Sequence, residues 1–282
     1  MKVVLVGAFG KLGSDILRKL VQNRHEVIAA DLVIHELPDL STGFTYRKVD
    51  ITNKEELTGL CEGADVVITT VGLTSSSIKV TNYDIDYQGN LNLLEEALRA
   101  NVKHFAYISV LKADGDASVP MLHAKYLMEE KIKESQIDYV IYRPTGYFYD
   151  IAKVFMPMIE AGKVTLLGKK PVHANVIDTS DLADFIVSHM LDHKKCFDIG
   201  GNETYSYEEI ATMFFDAAGK PAVIKRAPIW LFSLLAWMAK SKKNGKEAVI
   251  RFSKWTLSNE MVASTKYGKL SFKEYIKSCY HK

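Results

Sequence analysis

The chain has 282 residues, 48% hydrophobic and 25% charged, with 17 glycines. That is the make-up of a globular protein with room for one large domain or a core domain plus a smaller lobe, and it excludes a disordered, collagen-like or disulfide-scaffold chain. Lys and Arg number 36 against 34 Asp and Glu, a net charge of +2, so no global field draws the protein to nucleic acid or anionic lipid, and the expected partner is a small molecule in a pocket.

The first apolar run, Val3 to Val6, is too short for a signal-peptide core and lacks a small-residue cleavage site, so it reads as a strand. It runs directly into Gly7-Ala8-Phe9-Gly10-Lys11-Leu12-Gly13 and an amphipathic pattern over 11–23. A G-x-x-G-x-x-G loop between a strand and a helix is a dinucleotide-binding signature. Gly7 permits the tight turn, Gly10 lets the backbone approach a diphosphate, and Gly13 lets the helix pack closely on the strand, while the helix N-terminus offers unpaired N–H groups to the anion. Phe9, Lys11 and Leu12 belong to the same loop. The second strand, 26–30, ends at Asp31, 18 residues after Gly13. A carboxylate there accepts hydrogen bonds from an adenosine ribose diol and repels a 2′-phosphate, which favours NAD; NADP is the second choice, because Lys11 and Lys48 could compensate a phosphate.

Further strands are expected at 44–49, 65–70, 104–109 and 138–143, and helices at 53–60, 82–100 and 120–135. The alternation predicts an α/β chain with a doubly wound parallel sheet, a Rossmann fold whose ligand crevice lies beyond the carboxyl ends of the strands. After Pro144 the pattern loosens. Apolar segments at 164–167, 172–177 and 196–199 and helical ones starting near Thr179 and at 207–218 and 229–240 suggest a small C-terminal substrate lobe, 151–282, following a core of 1–150 and partly contributing to the same sheet. Cys61, Cys196 and Cys279 are widely spaced and form no Cys-x-x-Cys or Cys/His cluster, so free thiols in a reducing, cytoplasmic setting are expected, and no metal site.

The motifs together resemble the short-chain dehydrogenase/reductase superfamily, in particular its atypical NmrA-like and extended, epimerase-like branches. The resemblance covers most of the chain and rests on the glycine loop, Asp31, Val49-Asp50-Ile51, Thr69-Thr70-Val71-Gly72, the helix 87–97, Ile108-Ser109-Val110, Ala124-Lys125, the segment 143–148 and the segment 175–183. It implies that Asp50 and Ile51 hold the adenine, that Thr70, Val71 and Gly72 line the cofactor, that Asn90 braces the central helix, and that Pro144 and Thr145 approach the nicotinamide. It also implies that Lys125 binds the nicotinamide ribose and that Ser109, at the end of the fifth strand, orients a substrate. The full family motif is Y-x-x-x-K, in which the ammonium lowers the phenol pKa from one turn away. Here the tyrosine position is Met121, and a thioether transfers no proton. His123, two residues from Lys125, is expected to project away from the lysine's face. Tyr147, Tyr149, Tyr83 and Tyr87 could each supply a replacement phenol, although aromatics at such places more often build pocket walls, and Tyr147 is the preferred donor among them; Arg143 is a strand-end ion pair or a substrate contact.

The segment 229–239 is apolar on every face and is followed by Lys240, Lys242, Lys243 and Lys246. Core packing, a lid, an oligomer interface or a membrane-surface contact through 229–246 all suit it. Three functions follow: hydride transfer between NAD(P) and a small apolar carbonyl or enone, with Ser109, Lys125 and Tyr147 as the catalytic set; a non-catalytic dinucleotide-binding redox sensor or assembly factor; and a sugar-nucleotide epimerase or dehydratase.

Overall fold

The computed structural model of the protein describes residues 1–40, 42–73, 80–230 and 246–280. The first half alternates strand and helix as the periodicity predicts: β1 (Lys2–Val6), α1 (Lys11–Gln22), β2 (Glu26–Asp31), β3 (Phe44–Lys48), α2 (Lys54–Leu57), β4 (Val66–Thr69), α3 (Asn90–Arg99), β5 (His104–Ile108), α4 (Pro120–Glu134) and β6 (Asp138–Pro144). The second half supplies α5 (Phe148–Glu160), β7 (Val164–Leu167), β8 (His173–Ala174), α6 (Thr179–His189), β9 (Lys195–Gly200), β10 (Tyr205–Ser206), α7 (Tyr207–Ala217), β11 (Ile224–Ala227), α8 (Lys246–Thr256), β12 (Thr265–Lys266) and α9 (Phe272–Tyr280).

Eight strands form one parallel sheet in the order β12-β9-β6-β5-β4-β1-β2-β3. From β1 the chain winds outward through β2 and β3, then returns to place β4 on the other side of β1, and that reversal opens a crevice between the carboxyl ends of β1 and β4. Strands β1, β4 and β5 are apolar along nearly their whole length because both sheet faces are covered, whereas β3, at the edge, keeps mostly exposed residues.

The chain divides into two compact units, one made of the described residues of 1–75, 79–143 and 182–197, the other of those of 144–181 and 198–282. The chain leaves the first unit after Arg143 and returns to it at Leu182. In the first unit, Val4, Val6, Val67, Phe105, Tyr107 and Ile141 of the strands pack with Leu93, Leu94, Met128 and Ile132 of the helices. In the second, Phe155 stacks on Phe214 at 5.6 Å and Phe148 lies 4.7 Å from Phe272.

Two elements depart from the expected pattern. Of the apolar segment at 172–177 only His173–Ala174 is strand, beyond which Asn175 is fully buried and its side chain ties Gly201 and Ala263. The helix expected over 82–100 is α-helical only from Asn90; Tyr83–Gly89 is a π-helix. The wider turn leaves backbone carbonyls to be satisfied from outside, and Asn90 Nδ2 donates to Ile85 O (3.0 Å) while Tyr107 Oη donates to Asp86 O (3.2 Å). Of the apolar helix expected at 229–240, residues 231–240 lie outside the described residues; Trp230, just before them, is 65% exposed.

Candidate functional site

The glycine loop closes the crevice at β1. Gly7 sits at φ +82°, and a side chain there would meet Thr70 Oγ1 at 2.5 Å; a Cβ on Gly13 would lie 1.9 Å from Gly7 O, so helix and strand touch backbone to backbone. Gly10 is different, since its nearest neighbour to an added Cβ is Gly7 O at an ordinary 3.5 Å. The protein's own packing leaves room for a side chain at Gly10, and its absence keeps the exposed rim of the loop bare, as close approach of a diphosphate requires. Gly10 caps α1 without a side-chain bond, so the N–H groups of Lys11, Leu12 and Gly13 point outward with no intrahelical acceptor. The Phe9 ring packs on Phe44 and Tyr46, and Leu12 is buried, so both side chains are engaged within the protein.

Asp31 stands beside the loop at the end of β2. Its Oδ2 accepts from Phe9 N (2.9 Å) and its Oδ1 from Leu32 N (2.8 Å), which fixes the carboxylate while leaving a lone pair on each oxygen. Lys48 is its register partner on β3. Asp50 Oδ1 closes a turn on Thr52 N and Oγ1, and the buried Ile51 fills the space left by Gly89. On the far wall Thr70 Oγ1 donates to Gly7 O (3.0 Å), tying the end of β4 to the loop. Asn90 accepts from Thr69 Oγ1 (2.7 Å) and donates to Val71 O (3.3 Å), holding the Val71-Gly72 turn.

Lys125 projects from α4 into the ends of β4 and β5. Its Nζ donates to Ile108 O (3.0 Å), stands 3.2 Å from Asp86 Oδ1 and lies 5.3 Å from the centre of the Tyr107 ring. Gly72 backs the pair: a Cβ there would be 2.8 Å from Asp86 Oδ1 and 3.2 Å from Lys125 Nζ. Asp86 is fully buried, and its Oδ2 accepts from Asn82 Nδ2 (2.9 Å) and Leu73 N (3.3 Å). Burial, with Asp86 and Glu129 nearby, raises the Tyr107 phenol well above its ordinary pKa, so it stays a hydrogen-bond donor.

His123 Nδ1 is 2.9 Å from Tyr83 Oη, and Tyr83 lies on the same π-helix as Asp86, the partner of Lys125. Ser109 has its proton committed elsewhere. Its hydroxyl donates to Glu129 Oε1 (2.5 Å), and the fully buried Glu129 also accepts from Arg143 Nε (2.9 and 3.1 Å) and Nη2 (2.5 Å). Arg143 is thus a strand-end ion pair.

Pro144, Thr145 and Tyr147 belong to the second unit. Thr145 Oγ1 donates to Asn175 O (2.7 Å), and Tyr147 stacks on Tyr149 at 5.7 Å. Burial, then the neighbouring Tyr149 and Asp150, push the Tyr147 phenol up, and burial also raises the Asp150 carboxyl. Sequence reasoning missed Asp86 and Glu129. A signal for Asp86 was present: Asn82, Asp86 and Asn90 recur every four residues on one stripe, a polar line that is buried at every position. Among the described residues no group of three or more His, Cys, Asp or Glu is placed to hold a metal, and no helix is long and apolar enough to cross a membrane.

Residues 7–193, from the first loop glycine through α6, match the NAD(P)H-binding family. The chain belongs to that family. Photosystem II assembly factor Ycf39 of Synechocystis sp. is 27% identical over 263 residues, 91% of this chain and 76% of the relative. Among solved structures, the triphenylmethane reductase of Citrobacter sp. superposes with a TM-score of 0.77 at 17% identity over 100% of both chains. The NADPH-dependent quinone oxidoreductase of Escherichia coli, complexed with NADPH, gives 0.72 at 16% identity over 99% of this chain and 100% of that one. At such identities the two structures share the fold of this NAD(P)H-binding protein.

Proposed function

We propose that this protein binds NAD(H) and works as an assembly factor or regulator that reads the state of the dinucleotide, without acid–base chemistry of the tyrosine–lysine type. The observation that carries this reading is the missing phenol: Met121 stands one turn before Lys125, and the ammonium is engaged by Asp86 and the Ile108 carbonyl. The likeness to curated assembly factors over most of the chain supports the same role; what is carried over is the kind of work, not the photosystem.

The residues present fit the dinucleotide. The outward N–H groups of Lys11, Leu12 and Gly13 suit a diphosphate, the braced Asp31 suits an adenosine ribose diol and favours NAD over NADP, Asp50 and Ile51 flank the adenine side, and Thr70, Val71 and Gly72 form the wall leading to Lys125. Lys125 has a third N–H to offer the second ribose. When bound, the nicotinamide supplies a hydride donor or acceptor, and its oxidised and reduced forms differ by one unit of charge.

A second reading, hydride transfer to a small apolar carbonyl or enone, is favoured by the half-exposed Tyr83–His123 pair, a phenol and an imidazole in hydrogen-bond contact at the ends of the elements that follow β4 and β5. One experiment separates the two. The cofactor-stripped protein is titrated calorimetrically with NAD, NADH, NADP and NADPH, then incubated with NADH and a panel of carbonyls, enones and quinones. The expected result is NAD(H) binding at least about tenfold tighter than NADP(H), about 1.4 kcal/mol, with no NADH consumption. Turnover that Tyr83→Phe abolishes overturns the first reading in favour of the second.

A further inference from the structure

We propose that Asp86, acting through Lys125, sets the relative affinity of the site for oxidised and reduced nicotinamide; the inference rests on the reading that the second nucleoside of the dinucleotide is seated at Lys125. In a doubly wound sheet the two mononucleotide halves of the ligand lie on either side of the reversal in strand order. The glycine loop and Asp31 occupy the side of β1 and β2, whereas Gly72, Asp86, Ile108 and Lys125 gather at the ends of β4 and β5.

Asp86 is an unusual residue to find there. It is fully buried, and while its Oδ2 has two donors, no described residue gives its Oδ1 a hydrogen bond. A buried carboxylate oxygen without a donor is costly. What balances it is the Lys125 ammonium at 3.2 Å. Only the lysine of the two reaches the surface, with 8% of its area exposed, so Asp86 acts on a ligand as a positioning residue, through the charge and placement of Nζ. Asp86 cancels much of the ammonium's charge at the ligand, so the pair discriminates far less between a cationic and a neutral nicotinamide than a lone ammonium does. Without Asp86, a lone ammonium in a poorly solvated place repels the cationic ring and leaves the neutral ring untouched.

The test measures the affinities of the full chain for NAD⁺, NADH, ADP-ribose and ADP in the wild type, Asp86→Asn, Lys125→Met and the double variant. ADP lacks the second ribose, so its affinity stays constant throughout and reports an intact fold and loop. In Asp86→Asn the NAD⁺ to NADH affinity ratio is expected to fall about tenfold; in Lys125→Met, which leaves the carboxylate, it shifts toward NAD⁺; in the double variant it returns to the wild-type value. The Lys125→Met arm keeps the proposal testable should Asp86→Asn fail to fold. A ratio unchanged in both single variants overturns it. If Lys125→Met leaves ADP-ribose as tightly bound as before, the seat at Lys125 itself is wrong; if ADP-ribose weakens but the ratio does not move, only the role of Asp86 is.

Discussion

Replacing Arg143 by Met asks whether the Ser109–Glu129–Arg143 cluster holds the fold or contacts a ligand. Glu129 has no exposed surface and spends its two oxygens on Ser109 and the Arg143 guanidinium, with Lys133 Nζ at 3.6 Å as the remaining cation. Removing one partner of a buried ion pair costs about 3–5 kcal/mol because the other charge stays behind without compensation. Lys133 recovers part of that, so the lower end, about 3 kcal/mol, applies to Arg143→Met. At roughly 2–4 °C per kcal/mol for a domain of this size, the melting temperature should fall by about 6–12 °C. Ser109→Ala removes one hydrogen bond to a charged acceptor, about 1.5–3 kcal/mol, and Glu129→Gln combined with Arg143→Met should recover much of the loss by removing both charges. Thermal unfolding followed by circular dichroism gives the midpoints, and ADP affinity below the transition reports the loop. The reasoning is refuted if Arg143→Met and Ser109→Ala melt within about 1 °C of the wild type while ligand binding or turnover drops, since the two residues would then be facing a ligand and not Glu129.

Gly13→Ala forces a methyl to within 1.9 Å of Gly7 O and is expected to lower both melting temperature and ADP affinity, whereas Gly10→Ala, whose methyl meets Gly7 O at an ordinary 3.5 Å, should leave melting unchanged and weaken ADP and NAD alone; equal effects on melting would refute the distinction. Asp31→Ala removes the acceptor of Phe9 N and Leu32 N, so NAD should weaken about tenfold or more and the NAD to NADP preference should collapse, as read by calorimetry. Burial raises the Cys61 thiol from 9.0 to about 12, so the folded state holds its proton where the unfolded state has released it. That contribution to stability is complete below pH 9 and is lost as pH rises from 9 toward 12, so Cys61→Ala should show a shallower alkaline fall in melting temperature than the wild type.

The parallel core was legible because its strands are buried on both faces and so write continuous apolar runs, and because the glycine loop and Asp31 need particular residues at fixed places. Gly7 and Gly13 are demanded by backbone geometry, and the sequence therefore announces them. The second half was less legible for the opposite reason. A two-residue strand such as His173–Ala174 carries no period to detect, and Asn175, which organises that region by bonding Gly201 and Ala263, looks in sequence like any surface asparagine.

The lysine site shows why a motif can be located and still be misread. The position of Lys125 follows from its place in α4, but its electrostatic state depends on Asp86, 39 residues away, and on a π-helix that no α-helical or strand period encodes. A wheel drawn at 3.6 residues per turn sends His123 away from Lys125; in the structure both side chains meet the same π-helix, one through Tyr83 and the other through Asp86. Read as a buried polar stripe, Asn82, Asp86 and Asn90 argue that something across from this helix must be satisfied by polar groups, and the candidates are a turn, a cation or a ligand. The first two are accounted for: Asn90 holds the Val71 turn and Asp86 faces Lys125. The carboxylate oxygen that has the cation but no hydrogen bond is what ties the third to an experiment, because removing its charge leaves the Lys125 ammonium uncompensated toward any ligand that reaches it.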